Sequence, residues 1–302
     1  MISKNVLITG GAGYIGRVLI DLAPSDWQII VLDNLMFGNS NFVPPKKLNF
    51  VKGDIRDELV IDKTIQKSDV IIHLAGIVGE ASYKKNSIAA WEINYKATKK
   101  IVELAKKYGK RLVFMSTCSA YGYNSDICTE ETEPNPVDDY SVSKIMSEKD
   151  IQEELNDYTI FRLGTVYGWS PRMRFDLIIN RIIEKTLWNE PIEIFGGKQW
   201  RPFIHVKDAA NALIISVEKP IKSGIINLVS ENYQILDVAK QITDNLKIVS
   251  ERVDNRSYHV DNTKIKNVVK WVPKMTITEA IQEFKKLNYK ERIYYNHEWN
   301  YT

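Results

Sequence analysis

Asn5-Val6-Leu7-Ile8-Thr9-Gly10-Gly11-Ala12-Gly13-Tyr14-Ile15-Gly16 is the stretch on which the reading of this 302-residue chain turns. A short apolar run of strand character ends in a cluster of glycines, and a helical pattern opens directly after it, limited by Pro24. Read from Gly11 the spacing is GxGxxG, and from Gly10 it is GxxGxxG. Between a first strand and a first helix, such glycines permit a tight turn, close approach of a pyrophosphate to the backbone, and close packing of helix on strand. Location rather than spacing makes Gly10, Gly13, Tyr14, Ile15 and Gly16 candidates for a dinucleotide cradle. Asp33 ends the second apolar run, close to where a carboxylate accepts from a ribose 2′-hydroxyl and repels a 2′-phosphate. That favours NAD over NADP, while Arg17 leaves room for the phosphorylated cofactor.

Outward from this turn, Val6–Ile8, Gln28–Leu32, Val70–Leu74, Leu112–Met115 and Ile160–Leu163 read as strands, with helical patterns between them such as Ile88–Tyr108 and Ser141–Leu155. Strand and helix in alternation predict a Rossmann-type α/β fold, a doubly wound parallel sheet. The rhythm changes near Gly168, followed by Pro171, a helix around Phe175–Leu187 and an irregular Gly196–Pro202. Residues 1–168 are therefore expected to form the NAD-binding domain, with 203–229 returning to it, and 169–302 a smaller C-terminal α/β substrate lobe. Its further helices are Leu236–Asn245 and Ile277–Leu287.

Bulk properties exclude several classes. With 44% apolar and 26% charged residues the chain reads as globular, and 41 basic against 38 acidic side chains are too balanced for a nucleic-acid partner. The basic cluster Lys99, Lys100, Lys106, Lys107, Lys110 and Arg111 reads as a solvated helix face. No apolar run approaches the ~18 residues of a membrane span, and Met-Ile-Ser-Lys-Asn is unlike a signal peptide, so the expected location is cytoplasmic. Cys118 and Cys128 form no CxxC and the four histidines are scattered, so no metal site is expected. His73 reads as a core strand residue, His205 as a structural residue near the lobe hinge, and His259 and His297 as surface residues.

Tyr140 and Lys144, in Tyr-Ser-Val-Ser-Lys, lie one helical turn apart. Making a phenol a base near neutral pH takes a shift of ~3 units, or ~4 kcal/mol, and one ammonium at ~4 Å and an effective dielectric of ~20 supplies about that. Spacing alone does not select the pair, since Tyr95 and Lys99 share it. Context does. Ser116-Thr117-Cys118-Ser119 follows the Leu112–Met115 strand, where ligands bind in such sheets, and Pro134-Asn135-Pro136 suits a loop that drops the Tyr140 helix beside it. Tyr95 shares a helix face with Trp91, Thr98 and Val102, which reads as packing or a subunit contact.

With these motifs assembled, the sequence resembles the extended short-chain dehydrogenase/reductase family, in its nucleotide-sugar epimerase and dehydratase branch. The resemblance spans nearly the whole chain and rests on Thr9 to Gly16, Asp33-Asn34, Gly53-Asp54-Ile55, His73-Leu74-Ala75-Gly76, Asn94, Ser116-Thr117, Tyr140xxxLys144 and Arg201-Pro202-Phe203-Ile204-His205-Val206-Lys207-Asp208. It implies that Asp54 and Ile55 flank the adenine, Leu74 to Gly76 line the pyrophosphate and nicotinamide side, Lys144 also holds the nicotinamide ribose, and Thr117 orients the sugar hydroxyl. By the same resemblance Asn34, Asn94 and Ser116 join the cofactor site, and a homodimer forms through the Ile88–Tyr108 and Ser141–Leu155 helices. Two departures stand out. Thr165 occupies a substrate-contacting position that is often Asn in the family, and Cys118-Ser119 stands where dehydratases carry Asp-Glu, so 4,6-dehydration is not expected.

Expected substrate contacts are Thr117, Thr165, Arg174, Asn180, Trp200, Arg201 and Arg256, because guanidinium forks match diphosphate oxygens and an indole stacks on a base or sugar. Arg201 and Arg256 are placed near the diphosphate by the resemblance. Arg172 and Arg174 read equally as ligands or as surface ion pairs. The combined expectation is an NAD-dependent nucleotide-sugar 4-epimerase working through a transient 4-keto sugar. Its rivals are a dehydrogenase or 4-ketosugar reductase with net redox and, further off, a dehydratase or a non-catalytic NAD-sensing regulator.

Overall fold

The computed structural model describes residues 3–37, 48–219, 221, 223–249 and 256–286. Seven parallel strands form the central sheet: β1 (Lys4–Thr9), β2 (Trp27–Asp33), β3 (Leu48–Lys52), β4 (Val70–His73), β5 (Arg111–Thr117), β6 (Tyr158–Leu163) and β7 (Gly224–Leu228). Their spatial order is β7-β6-β5-β4-β1-β2-β3. The order reverses between β1 and β4, and in open sheets of this kind the crevice at the carboxyl ends beside such a reversal is where ligands bind.

The strands are Val, Ile and Leu runs because both faces are covered. Val6, Ile8, Ile72 and Val113 pack toward the first helix, Tyr14–Leu22, and the Val206–Glu218 helix, whereas Leu7, Ile71, Leu112 and Phe114 pack toward Ala97–Tyr108. This is the two-residue alternation of a pleated strand applied to a doubly covered sheet. Each such side chain, fully buried, contributes about 1.5–3 kcal/mol.

β3 escapes the sequence reading because Asn49 and Lys52 interrupt its apolar run and only β2 flanks it. The stretch Gly196–Pro202, read as irregular, already enters a strand at Trp200. That strand, Trp200–His205, lies between Thr165–Tyr167, parallel to it, and Glu231–Gln234, antiparallel. Pro202 is tolerated because pairing with Thr165–Tyr167 begins only at Phe203. Outside the main sheet are also the helices Ile178–Leu187, Ile235–Ile242, Thr263–Val269 and Ile277–Lys285, the parallel pair Ile192–Phe195 with Leu246–Val249, and the pair Tyr123–Cys128 with Ser257–Val260. Leu287 and His297, named above, lie outside the described residues. Among the described residues no helix is long and apolar enough to cross a membrane.

Candidate active site

A cleft of about 550 Å³ opens at the carboxyl ends of the strands. One end is the glycine turn. Gly10 has φ +69°, and a Cβ there would lie 2.7 Å from the backbone of Ala75; at Gly16 it would lie 2.6 Å from Gly11. No side chain caps the following helix at Gly13, and its first turn, Gly13 to Gly16, lines the cleft. Asp33 accepts from Ala12 N (3.0 Å) and Leu35 N (2.8 Å), joining the turn to the end of β2. Burial raises the pKa of this carboxyl above its ordinary value against those two bonds and the charge of Arg172. Asn34 donates to Asp54 (2.9 Å), and Arg56, the stronger influence, helps hold the Asp54 carboxyl down at about 2. Asn34, Asp54 and Ile55 line the cleft with Asp33. This set fits a dinucleotide: a turn on which side chains would collide, a helix amino terminus for a pyrophosphate, and an acceptor at the end of β2 for a ribose.

Leu74, Ala75 and Gly76 form the adjoining wall. Asn94 does not line the cleft. It clamps that wall, accepting from Ile77 N (2.7 Å) and donating to Ile77 O (2.8 Å). The helical stretch from Ser87 to Tyr108 widens to a π turn at Glu92–Lys96, and Asn94 is buried within it. His73 is a core residue: its ring lies 2.6 Å from Thr9 Oγ1 and 2.9 Å from Thr98 Oγ1, and burial holds it near 3, uncharged.

The helix Asp139–Glu154 starts at Asp138, whose carboxylate caps it by accepting from Ser141 N (2.8 Å). Tyr140 and Lys144 are buried on its inner face, and both line the cleft with Ser116 and Thr117. Two features differ from the sequence reading. Lys144 donates to Met115 O (3.0 Å) with its charge 4.6 Å from the Phe114 ring centroid, and burial lowers its pKa to about 8. The Tyr140 phenol is pushed up to about 12 by burial; Arg174 is the charge that most lowers it, followed by a hydrogen bond with Thr117. The protein's own groups therefore hold the phenol protonated at neutral pH, because desolvation outweighs the charge of Arg174 and the bond with Thr117. Tyr95 packs on Trp91, ring centroids 4.9 Å apart, away from the cleft.

Thr165, Arg172, Arg174, Arg201 and Arg256 line the opposite wall. Arg174 pairs with Asp176, Arg172 donates to Phe37 O, and Arg201 donates to Arg256 O while lying over the Tyr258 ring. Arg256 reaches across the cleft to Asp138 (3.4 Å) and Glu80 (3.7 Å). Trp200 lies outside the cleft lining and stacks on His259 at 5.1 Å, which makes His259 a packing partner rather than a plain surface residue. Asn180 is also outside the lining. Its side chain joins Gly168 N (2.8 Å), Tyr14 Oη (3.0 Å) and Arg174 O (3.0 Å). Tyr258 and Glu80 line the cleft and were not singled out from sequence, because nothing near them in the chain marks them.

His205 and Lys207 both bind Glu283 on the last described helix, at 3.1 and 2.5 Å. Burial opposes ionisation of Glu283, but these hydrogen bonds and charges outweigh it and hold the carboxyl at about 2. A depressed folded-state value stabilises the fold above the ordinary pKa of 4.5, and that contribution is lost as pH falls from there toward 2. Glu283→Gln is therefore expected to lower the denaturation midpoint at pH 7 and to flatten its decline between pH ~5 and ~2 in chemical denaturation.

The sequence model of the NAD dependent epimerase/dehydratase family matches residues 6–228. A UDP-glucose 4-epimerase of Halalkalibacterium halodurans is 30% identical over 315 residues, 92% of this chain and 93% of that protein. A UDP-N-acetyl-alpha-D-glucosaminuronate decarboxylase of Bacillus cytotoxicus is 29% identical, covering 94% of this chain and 98% of its own. Among solved structures, the UDP-N-acetylglucosamine 4-epimerase of Methanobrevibacter ruminantium M1, in complex with UDP-N-acetylmuramic acid, superposes with TM-score 0.84 at 25% identity over 94% of this chain and 99% of that one.

Proposed function

Since the chain belongs to the NAD dependent epimerase/dehydratase family, we propose that it is a nucleotide-sugar 4-epimerase. The observation that carries this reading is the convergence of Thr117, Tyr140 and Lys144 on one cleft that also holds the glycine turn and a wall of arginines. Named relatives among 4-epimerases support it. Residues 1–168 with 203–229 would hold NAD, and 169–302 the sugar nucleotide.

Held at the glycine turn, NAD would supply the hydride chemistry, uptake from carbon 4 and return to it. The chain's own residues do the rest. Thr117 orients the 4-hydroxyl and Tyr140 removes its proton as the hydride leaves, while Lys144 holds the ribose and adds positive charge near the phenol. Arg174, Arg201 and Arg256 would hold the diphosphate, so the 4-keto sugar stays in the cleft while it presents its other face, where carbon 4 regains the hydride and its oxygen regains the proton from Tyr140. Dehydration finds no support at Cys118: its thiol is buried, donates to Arg162 O (3.1 Å), and has its pKa raised well above the ordinary value by burial.

Incubating the protein with UDP-, GDP-, dTDP- and CDP-sugars tests the reading, following both the configuration at carbon 4 and reduced-cofactor absorbance. Epimer formation without net reduction is expected. Stoichiometric reduction of added NAD with no epimer would make the protein a dehydrogenase. Asp33→Ala is expected to weaken NAD binding by about 10- to 100-fold, the worth of about 1.5–3 kcal/mol for a charge-assisted hydrogen bond, as measured by calorimetry. A homodimer through Ser87–Tyr108 and Asp139–Glu154 accords with Ile88, 78% exposed on the first of these; sedimentation that finds only monomer at high concentration would exclude it.

A further inference from the structure

Tyr140, Lys144 and Glu148 form one stripe on the inner face of the Asp139–Glu154 helix, four residues apart and all buried. Glu148 lies outside the residues singled out above, and its surroundings are unusual for a helix carboxylate. Arg162 on β6 grips it through Nε (3.2 Å to each oxygen) and Nη2 (2.8 Å), and Ser116 Oγ donates to it. Ser116 and Arg162 are register partners on β5 and β6, so the carboxylate pins the helix to two strand ends at once. Arg162 is held in turn by Tyr121 Oη (3.2 Å), which lies 2.7 Å from Asn227 Oδ1.

We propose that Glu148 is a positioning residue for the reaction: its buried carboxylate is the counter-charge that keeps the Lys144 ammonium protonated and directed at the Met115 carbonyl, and Arg162 holds that carboxylate in place. The inference rests on the reading of Tyr140 and Lys144 given under Proposed function. The groups that face Lys144 are few. Its own helix supplies Tyr140 and Glu148; β5 supplies the Met115 carbonyl and the Phe114 ring; β4 supplies uncharged His73; the following loop supplies Gly76, where a Cβ would sit 3.8 Å from Nζ. Around Glu148 itself stand Ser116, Arg162 and the protonated thiol of Cys118. Glu148 is thus the one anion in this set. Burial depresses the lysine and Glu148 opposes that depression, so loss of the carboxylate leaves burial to act alone.

The test is a titration of Lys144 in the cofactor-free protein, with lysines labelled with ¹³C at the ε carbon and the Lys144 signal assigned by Lys144→Arg. In wild type it is expected to titrate near 8. In Glu148→Gln the midpoint should fall by about one to two pH units, the effect of one charge at ~6–10 Å and an effective dielectric of ~20. The alkaline limb of kcat/KM should move down with it, and Glu148→Asp, which keeps the charge, should restore at least half of the shift. If Glu148→Gln does not fold, Glu148→Met combined with Arg162→Met removes both buried charges and should still lower the midpoint, because Glu148 is the charge that opposes the effect of burial on Lys144. An unchanged Lys144 midpoint in a folded variant overturns the proposal. Full turnover by Tyr140→Phe and Lys144→Met would instead overturn the catalytic reading, and the titration would still report on Glu148.

Discussion

Tyr140→Phe is expected to lower kcat by about 10²- to 10⁴-fold on every nucleotide sugar the wild type turns over, the usual contribution of a positioned acid–base group. The residue is buried, and the substitution removes one oxygen without opening a cavity. Cofactor retention and thermal stability should therefore stay close to wild type, so the loss belongs to proton transfer. Because the protein's own groups hold the phenol at about 12, the acid limb of the wild-type pH profile should lie well below that value only where bound cofactor adds positive charge that favours the phenolate. Activity left unchanged by the substitution, with NAD still bound, would remove Tyr140 from the mechanism.

Arg162→Met is expected to destabilise the protein by about 3–5 kcal/mol, the largest stability effect of any single change considered, because it leaves the Glu148 carboxylate buried without its partner. Both side chains are only 3% exposed, so water cannot take over the role of the guanidinium. Adding Glu148→Met should recover most of the loss, since apolar groups in place of a buried ion pair are often neutral or better. Guanidinium denaturation of the two single variants and the double variant gives the coupling directly. Additive losses would mean that the pair does not act as a unit.

Much of this architecture is legible in the chain because it is local. The run from Val6 to Ile8, the glycines that follow and the helix after them need only short-range chemistry to be read, and the strand-end Thr117 with the Tyr140–Lys144 spacing is read the same way. Other features resist reading because they are made by contacts distant in sequence. Asn94 clamps Ile77 from within a widened helical turn that no sequence signal announces. Trp200, attractive as a stacking residue, spends its ring on His259, and Asn180 spends its amide on Tyr14, Gly168 and Arg174. Glu148 had a signal, its place four residues beyond Lys144, but only its partners on β5 and β6 give that spacing meaning.

By itself, then, the sequence determined the parallel sheet, the glycine cradle and the identity of the three residues that meet at the strand ends, because periodicity and turn chemistry are properties of neighbouring residues. The tertiary structure alone decided the electrostatics of two of them, Tyr140 and Lys144. A phenol beside a lysine promises an easy ionisation in water, yet burial raises Tyr140 to about 12 and lowers Lys144 to about 8, and the charges that oppose this, on Arg174 and Glu148, come from a distant loop and from the next turn of the same helix face. Desolvation depends on everything packed around a group, and that is a quantity only the folded chain possesses.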